Sequence, residues 1–251
     1  MSEQLTVLVV GSTGSVGRHV VAEAVRQGHT VRALVRSQAR AGRLDPAAEI
    51  VVGDLTDADT LTDAVRDIDA VVFTHGAAYG SNDAEHVDYG AVRNVLQALD
   101  GRPVRVALMT SIGVTRRAVT HDWKRRSERL VRASGNRYTI VRPGWFDYND
   151  ADQLEVTFLQ GDTRHAGSPA DGVIARHQIA RVLVDALTTD TADHKTLELV
   201  AERGHEQTDL APVFAALDAD TGIDGVRDQD NQPVAQEPAA VRQDLDRLGS
   251  A

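Results

Sequence analysis

The apolar run LTVLVV (5–10) leads directly into GSTGSVG (11–17), and no other stretch narrows the choice of fold so far. Glycine alone turns the backbone at positive φ without penalty and leaves bare main chain for a neighbour to approach. An apolar run closed by Gly11, Gly14 and Gly17 and followed by a helical pattern describes a strand, a tight loop and a helix N-terminus. At such a terminus free N–H groups are available to phosphate. The first glycine makes the turn, the second lets a pyrophosphate approach the backbone, and the third lets helix and strand pack closely. Ser12, Thr13, Ser15 and Val16 complete the expected cradle.

The next hundred residues repeat the alternation. Short runs at 5–10, 30–35, 49–52, 69–74 and 104–110 resemble buried parallel strands, and RYTIVRPG (137–144) adds a sixth. Helical patterns fit at 15–27, 57–66, 85–99 and 122–134. This order predicts an α/β fold, a doubly wound parallel sheet of Rossmann type with helices on both faces. Beyond residue 150 the pattern loosens into a strand at 154–159, a helix at 175–188, a strand at 196–200 and a helix at 209–217. Residues 1–217 are therefore expected to form one domain, with small substrate-cap elements after 145. The stretch 218–251, acidic and containing prolines, reads as an irregular, solvent-exposed extension.

Composition removes several functions. A formal charge of −10 disfavours nucleic-acid binding. The absence of cysteine excludes disulfides and thiolate chemistry. No apolar run is long enough to cross a bilayer, and the acidic start MSEQ is unlike an export signal, so no membrane partner and a cytoplasmic location are expected. The histidines show no metal-ligand spacing, and DADTGIDG has Ile223 where a calcium loop needs glycine, so no metal is expected.

The spacing GxxGxxG resembles that of the short-chain dehydrogenase/reductase superfamily, closest to its atypical, NmrA-like and NAD(P)H-binding branch, over residues 5–200. The resemblance continues in Gly53-Asp54-Leu55, which looks like an adenine contact, and in Thr74-His75-Gly76, which would line the cofactor. TSIG (110–113) occupies the place of the catalytic serine strand, and YTIVRPGWF (138–146), with Pro143, resembles the nicotinamide-side loop. The second strand ends in VRSQAR, with Arg36 and Arg40 and no acid, so NADP(H) is expected in preference to NAD(H).

The superfamily's chemistry uses a tyrosine and a lysine four residues apart on one helix face, with a serine on the neighbouring strand. Here Lys124 takes the lysine position and Ser111 the serine position, but the tyrosine position falls on Thr120. An aliphatic hydroxyl is a far weaker acid than a phenol and reaches less far. His121 is the first candidate to replace it, with Tyr148 and Tyr79, on loops leaving strand ends, and His75 as others. Trp145, Phe146 and the region around Gln160 are the expected substrate walls. Three readings follow: an NADP(H)-dependent oxidoreductase acting on a small organic substrate, a dinucleotide-binding sensor without chemistry, and an epimerase- or dehydratase-like enzyme. The resemblance also allows a homodimer through an outer helix pair.

Overall fold

The computed structural model describes residues 3–78 and 80–249. Among the described residues, ten strands and six α-helices follow one another as β1 (Thr6–Val10), α1 (Gly17–Arg26), β2 (Thr30–Val35), β3 (Glu49–Val52), β4 (Ala70–Phe73), α2 (Gly90–Leu99), β5 (Arg105–Met109), α3 (Val119–Ala133), β6 (Arg137–Pro143), β7 (Trp145–Phe146), β8 (Glu155–Leu159), β9 (Val173–Ile174), α4 (Arg176–Thr188), β10 (Lys195–Glu202), α5 (Ala211–Ala215) and α6 (Ala239–Gly249). The main sheet runs β3-β2-β1-β4-β5-β6-β10-β8 and is parallel except for its last pair, while β7 and β9 make a separate two-stranded ribbon. This is the expected doubly wound α/β architecture.

Because successive strand residues point to opposite faces, each central strand feeds two cores. Val7 and Val9 of β1 pack with Val20, Val21 and Ala24 of α1 and with Ile179 and Leu183 of α4. Leu8 and Val10 face the other way, among Val92, Val95 and Leu99 of α2 and Leu130 of α3. The strand order reverses between β1 and β4. In open α/β sheets that switch point is where a crevice forms beyond the strand ends.

Two sequence expectations change. The helix expected at 57–66 contracts to a short 3-10 turn at Ala58–Leu61. Its polar side chains compete for the backbone: Asp57 accepts from the Asp59 N–H, and the Thr60 hydroxyl donates to the Asp57 carbonyl. The second correction is larger. Residues 218–237 have the irregular backbone expected of them but are not a solvated extension, and α6 follows them.

Helix α3 presents Arg125, Arg129 and Arg132 as a stripe, each almost fully buried. Asp224 accepts from Arg125 and Arg129 at 3.0 and 2.8 Å, Glu237 from Arg129 at 2.7 Å, and Asp220 from Arg132 at 3.2 Å. The Asp228 carboxylate takes both terminal nitrogens of Arg142, each at 2.7 Å. Helix α6 then covers α2 and α3 with Val241 and Leu245, and the Tyr89 hydroxyl donates to Asp244 at 2.8 Å. The acidic composition that suggested solvent exposure instead matches a buried row of guanidinium groups.

Candidate cofactor and reaction site

The loop after β1 turns at Gly11, where φ is +80°. A Cβ there would lie 2.6 Å from the His75 nitrogen, so the loops after β1 and β4 meet across this glycine. A Cβ at Gly17 would collide with the Gly11 carbonyl oxygen, which already accepts the Gly14 N–H at 2.8 Å. Thr13, Gly14 and Ser15 are exposed above the start of α1, whereas Val16 and Gly17 are buried beneath them. No side chain caps the helix, and although the Arg18 and His19 N–H groups donate to the Gly14 and Val16 carbonyls, the N–H groups of Ser15 and Val16 are left for a ligand. This cradle fits a dinucleotide's pyrophosphate.

Some expected contacts narrow to main chain. The Ser12 hydroxyl is buried and donates to the Leu34 carbonyl at 2.6 Å, and the Thr74 hydroxyl donates to the Val10 carbonyl at 3.0 Å. Both residues shape the loop and leave only backbone to face a ligand. At the adenosine end, Asp54 is held below the ordinary carboxylate range, first by the Thr56 N–H and hydroxyl and to a lesser extent by Arg36. The Leu55 carbonyl is fixed by the Asn94 amide at 2.8 Å. Arg36 and Arg40 are exposed, and among the described residues neither has an ion-pair partner.

At the other end, the Ser111 hydroxyl oxygen is buried without a hydrogen-bond partner, an exception to the usual satisfaction of buried polar atoms. The N–H of the next residue, Ile112, donates to the Pro143 carbonyl at 3.0 Å, which joins the ends of β5 and β6. Lys124 donates to Asp88 at 2.7 Å, and the same Asp88 oxygen accepts the Ala77 N–H at 3.2 Å. Asp88 sits in a π-helical turn, Glu85–Tyr89, that runs into α2. It ties the lysine to the loop containing His75 and Gly76, and a Cβ on Gly76 would meet both Asp88 and Lys124.

The candidate proton donors separate by environment. Burial, reinforced by the Lys124 charge, lowers the His75 pKa to about 4, so its ring is neutral across physiological pH. His121, in the first turn of α3, hydrogen-bonds the Arg116 carbonyl through Nδ1 at 3.0 Å. A carbonyl only accepts, so Nδ1 carries a proton in this contact and Nε2 is left to face outward partners. Three residues separate His121 from Lys124, which puts them on one helix face. Thr120 is exposed beside them. Tyr148 is 63% exposed at the rim, its ring edge-on to Trp145 at 6.2 Å. Tyr79 lies outside the described residues. Gln160 is bonded to the Thr196 and Asp218 carbonyls, which ties it to β10 and the C-terminal segment.

Sequence reasoning missed the carboxylates that hold this end together. Asp162, fully buried, accepts the Gly113 and Thr115 N–H groups at 2.6 and 2.7 Å and so fixes the Ser111 loop. Its own N–H donates to Glu198, which burial raises to a pKa of about 7 despite Arg142 nearby. Burial also acts on Glu128, but Arg142 and Arg132 outweigh it and hold that carboxyl at about 2. Asn231, from the C-terminal segment, donates to the Thr115 carbonyl at 2.9 Å. The arginine spacing in WKRRSERLVR is the one sequence signal that pointed to an acidic partner for α3.

A family model described as NAD(P)H-binding matches residues 11–190. The photosystem II assembly factor Ycf39 of Synechocystis is 27% identical, over 94% of this chain and 72% of its own length. Sanguinarine reductase of Eschscholzia californica is 24% identical over 79% of this chain and 89% of its own. TIC 62 of Pisum sativum is 30% identical over 78% of this chain, which spans 43% of that longer protein. Among solved structures, a Bacillus halodurans protein assigned to the NAD-dependent epimerase/dehydratases superposes with a TM-score of 0.70 and 26% identity, covering 85% of this chain and 100% of that one.

Proposed function

Starting from the premise that this chain belongs to the NAD(P)H-binding family of atypical short-chain dehydrogenases/reductases, we propose that it is an NADP(H)-dependent oxidoreductase acting on a carbonyl or conjugated carbonyl compound. The observation that carries this reading is the buried Ser111 hydroxyl, unpartnered beside Pro143 at the sheet's switch-point edge. A hydroxyl kept free of protein partners in such a place is available to donate to a substrate oxygen.

The bound nicotinamide would supply or accept the hydride. The protein's own work is positional and protonic. Ser111 donates a hydrogen bond to the substrate carbonyl oxygen, and His121 supplies, from Nε2, the proton that this oxygen needs on reduction, its Nδ1–H staying on the Arg116 carbonyl. Lys124, steadied by Asp88, holds the nicotinamide ribose. The main chain around Gly14 would hold the phosphates, and Leu55 and the end of the second strand would take the adenosine end. Arg36 and Arg40, both exposed at the end of the second strand, would receive a 2′-phosphate.

The test joins binding to turnover. Nicotinamide fluorescence should show NADPH binding tighter than NADH. With quinone and aldehyde panels, Ser111→Ala should lower kcat about 100-fold with NADPH affinity unchanged. His121→Asn should likewise lower kcat, by about 10- to 100-fold, with NADPH affinity unchanged. NADPH binding without turnover on any substrate would favour a sensor, a reading supported by the short Lys124–Asp88 pair and by threonine at position 120.

A further inference from the structure

At the mouth of the reaction site two aromatic side chains stand in solvent, Trp145 at 37% exposure and Tyr148 at 63%. Neither is loosely placed. The Trp145 N–H donates to the Gly172 carbonyl at 2.9 Å as β7 pairs with β9. Asp147, between the two rings, adopts φ 59° and accepts the Arg176 N–H at 3.0 Å, which fixes the turn. The rings meet edge to face at 80°, so each braces the other and a broad indole surface stays uncovered. A held aromatic face binds a flat partner at little cost in side-chain entropy.

Charge completes the picture. Arg164 is half-buried, yet among the described residues its only side-chain hydrogen bond is to the Asp171 carbonyl at 3.3 Å. Arg116 likewise reaches only the His165 carbonyl, at 3.3 Å. Among the described residues neither has a carboxylate partner, and the nearby acids are otherwise engaged: Asp147 with Arg176, Asp150 and Asp152 with Arg203, Asp162 with the Ser111 loop and Asp171 with the N–H groups of Ala166 and Gly167. A guanidinium partly out of water without a counter-ion is better satisfied by an incoming anion. Arg164 links the two halves of the site. Its carbonyl oxygen lies 3.9 Å from a Cβ position on Gly113, in the Ser111 loop, and its Nη1 lies 3.3 Å from one on Gly172, which pairs with Trp145.

We propose that the substrate is a planar aromatic or extensively conjugated compound bearing a carboxylate, its ring stacked on Trp145 and its anionic group on Arg164 with Arg116. This deepens the oxidoreductase reading and rests on it for Ser111 as the reacting end. A flat ring anchored on the ledge and tethered at Arg164 brings an attached carbonyl toward Ser111.

The chain has two tryptophans, so Trp123→Phe leaves Trp145 as the sole indole reporter. Anthraquinone-2-carboxylate should quench it saturably. Its neutral analogue 2-(hydroxymethyl)anthraquinone should bind about tenfold more weakly, and Arg164→Gln should erase that difference, with Tm unchanged as the check on folding. In equilibrium dialysis, Trp145→Ala should lose both ligands. Equal affinity for the charged and neutral anthraquinones, an Arg164→Gln protein that still prefers the carboxylate, or no saturable quenching would each overturn the proposal. NADPH titrated into the same samples separates the two failures. NADPH binding without anthraquinone binding sinks the ledge alone, whereas anthraquinone binding without NADPH binding sinks the oxidoreductase reading and leaves the ledge standing as a site for aromatic anions.

Discussion

The two ends of the site are built from different materials. At the phosphate end the working surface is main chain, shaped by missing Cβ atoms at Gly11 and Gly17 and by hydroxyls turned inward at Ser12 and Thr74. At the reaction end the working groups are side chains held by carboxylates from elsewhere in the sequence, Lys124 by Asp88 and the Ser111 loop by Asp162, while Asp171 fixes its own turn beside the Trp145 ribbon. The first end tolerates almost no added volume. The second depends on a few charged acceptors.

This contrast predicts distinct failures. Gly17→Ala puts a methyl group onto the Gly11 carbonyl and should weaken NADPH binding on the order of 100-fold, about 2.8 kcal/mol. Overpacking should also cost about 1–3 kcal/mol of stability, read by urea unfolding. Asp162→Ala should act at the opposite end, with kcat about 10- to 100-fold lower and NADPH affinity within about twofold of wild type. It leaves two buried N–H groups unpaired at about 1–3 kcal/mol each, and Asp162→Asn should recover part of that loss. Equal damage to binding and turnover in Asp162→Ala would dissolve the division between the ends.

Smaller effects sharpen it. Glu198, raised to about 7 from an ordinary 4.5, keeps its proton in the folded state, so its contribution is complete below pH 4.5 and is lost as pH rises through 7. Glu198→Gln should therefore gain in Tm on wild type between pH 5 and pH 8, by about 2–4 °C for each kcal/mol involved. Glu128, depressed to about 2, has the opposite sign: its stabilisation is present above pH 4.5 and fades as pH falls toward 2. Smallest of all, Arg36→Ala should weaken NADPH about tenfold in a fluorescence titration and leave NADH unchanged.

The same division explains what the sequence disclosed. The glycine loop, the strands and the switch point follow from residues close together in the chain, so LTVLVVGSTGSVG and the alternation after it were readable directly. Ser111 and Lys124 were legible by their place after β5 and in α3. Asp88 and Asp162 were not, because a single aspartate carries no periodic signal and its partners lie up to 49 residues away, as with Asp162 and Gly113. The segment after Asp218 misled for a related reason. Its acidic composition is that of a solvated tail, and only the arginine stripe on α3, about a hundred residues earlier in the chain, shows what the acids are for.

The joining of Asp228 to Arg142 across 86 residues also sets an order of assembly. As the chain leaves the ribosome from its N-terminus, the glycine loop and first strands can dock early, while the arginines of α3 and β6 wait for acids not yet made. The cradle's helix α1 still needs Ile179 and Leu183 of α4 to cover it, and the Ser111 loop needs more, the Asn231 amide on the Thr115 carbonyl. A chain halted near residue 217 would leave Arg125 and Arg129 with no acid at all, whereas Arg132 and Arg142 would keep Glu128, so the buried row would be satisfied at one end and bare at the other.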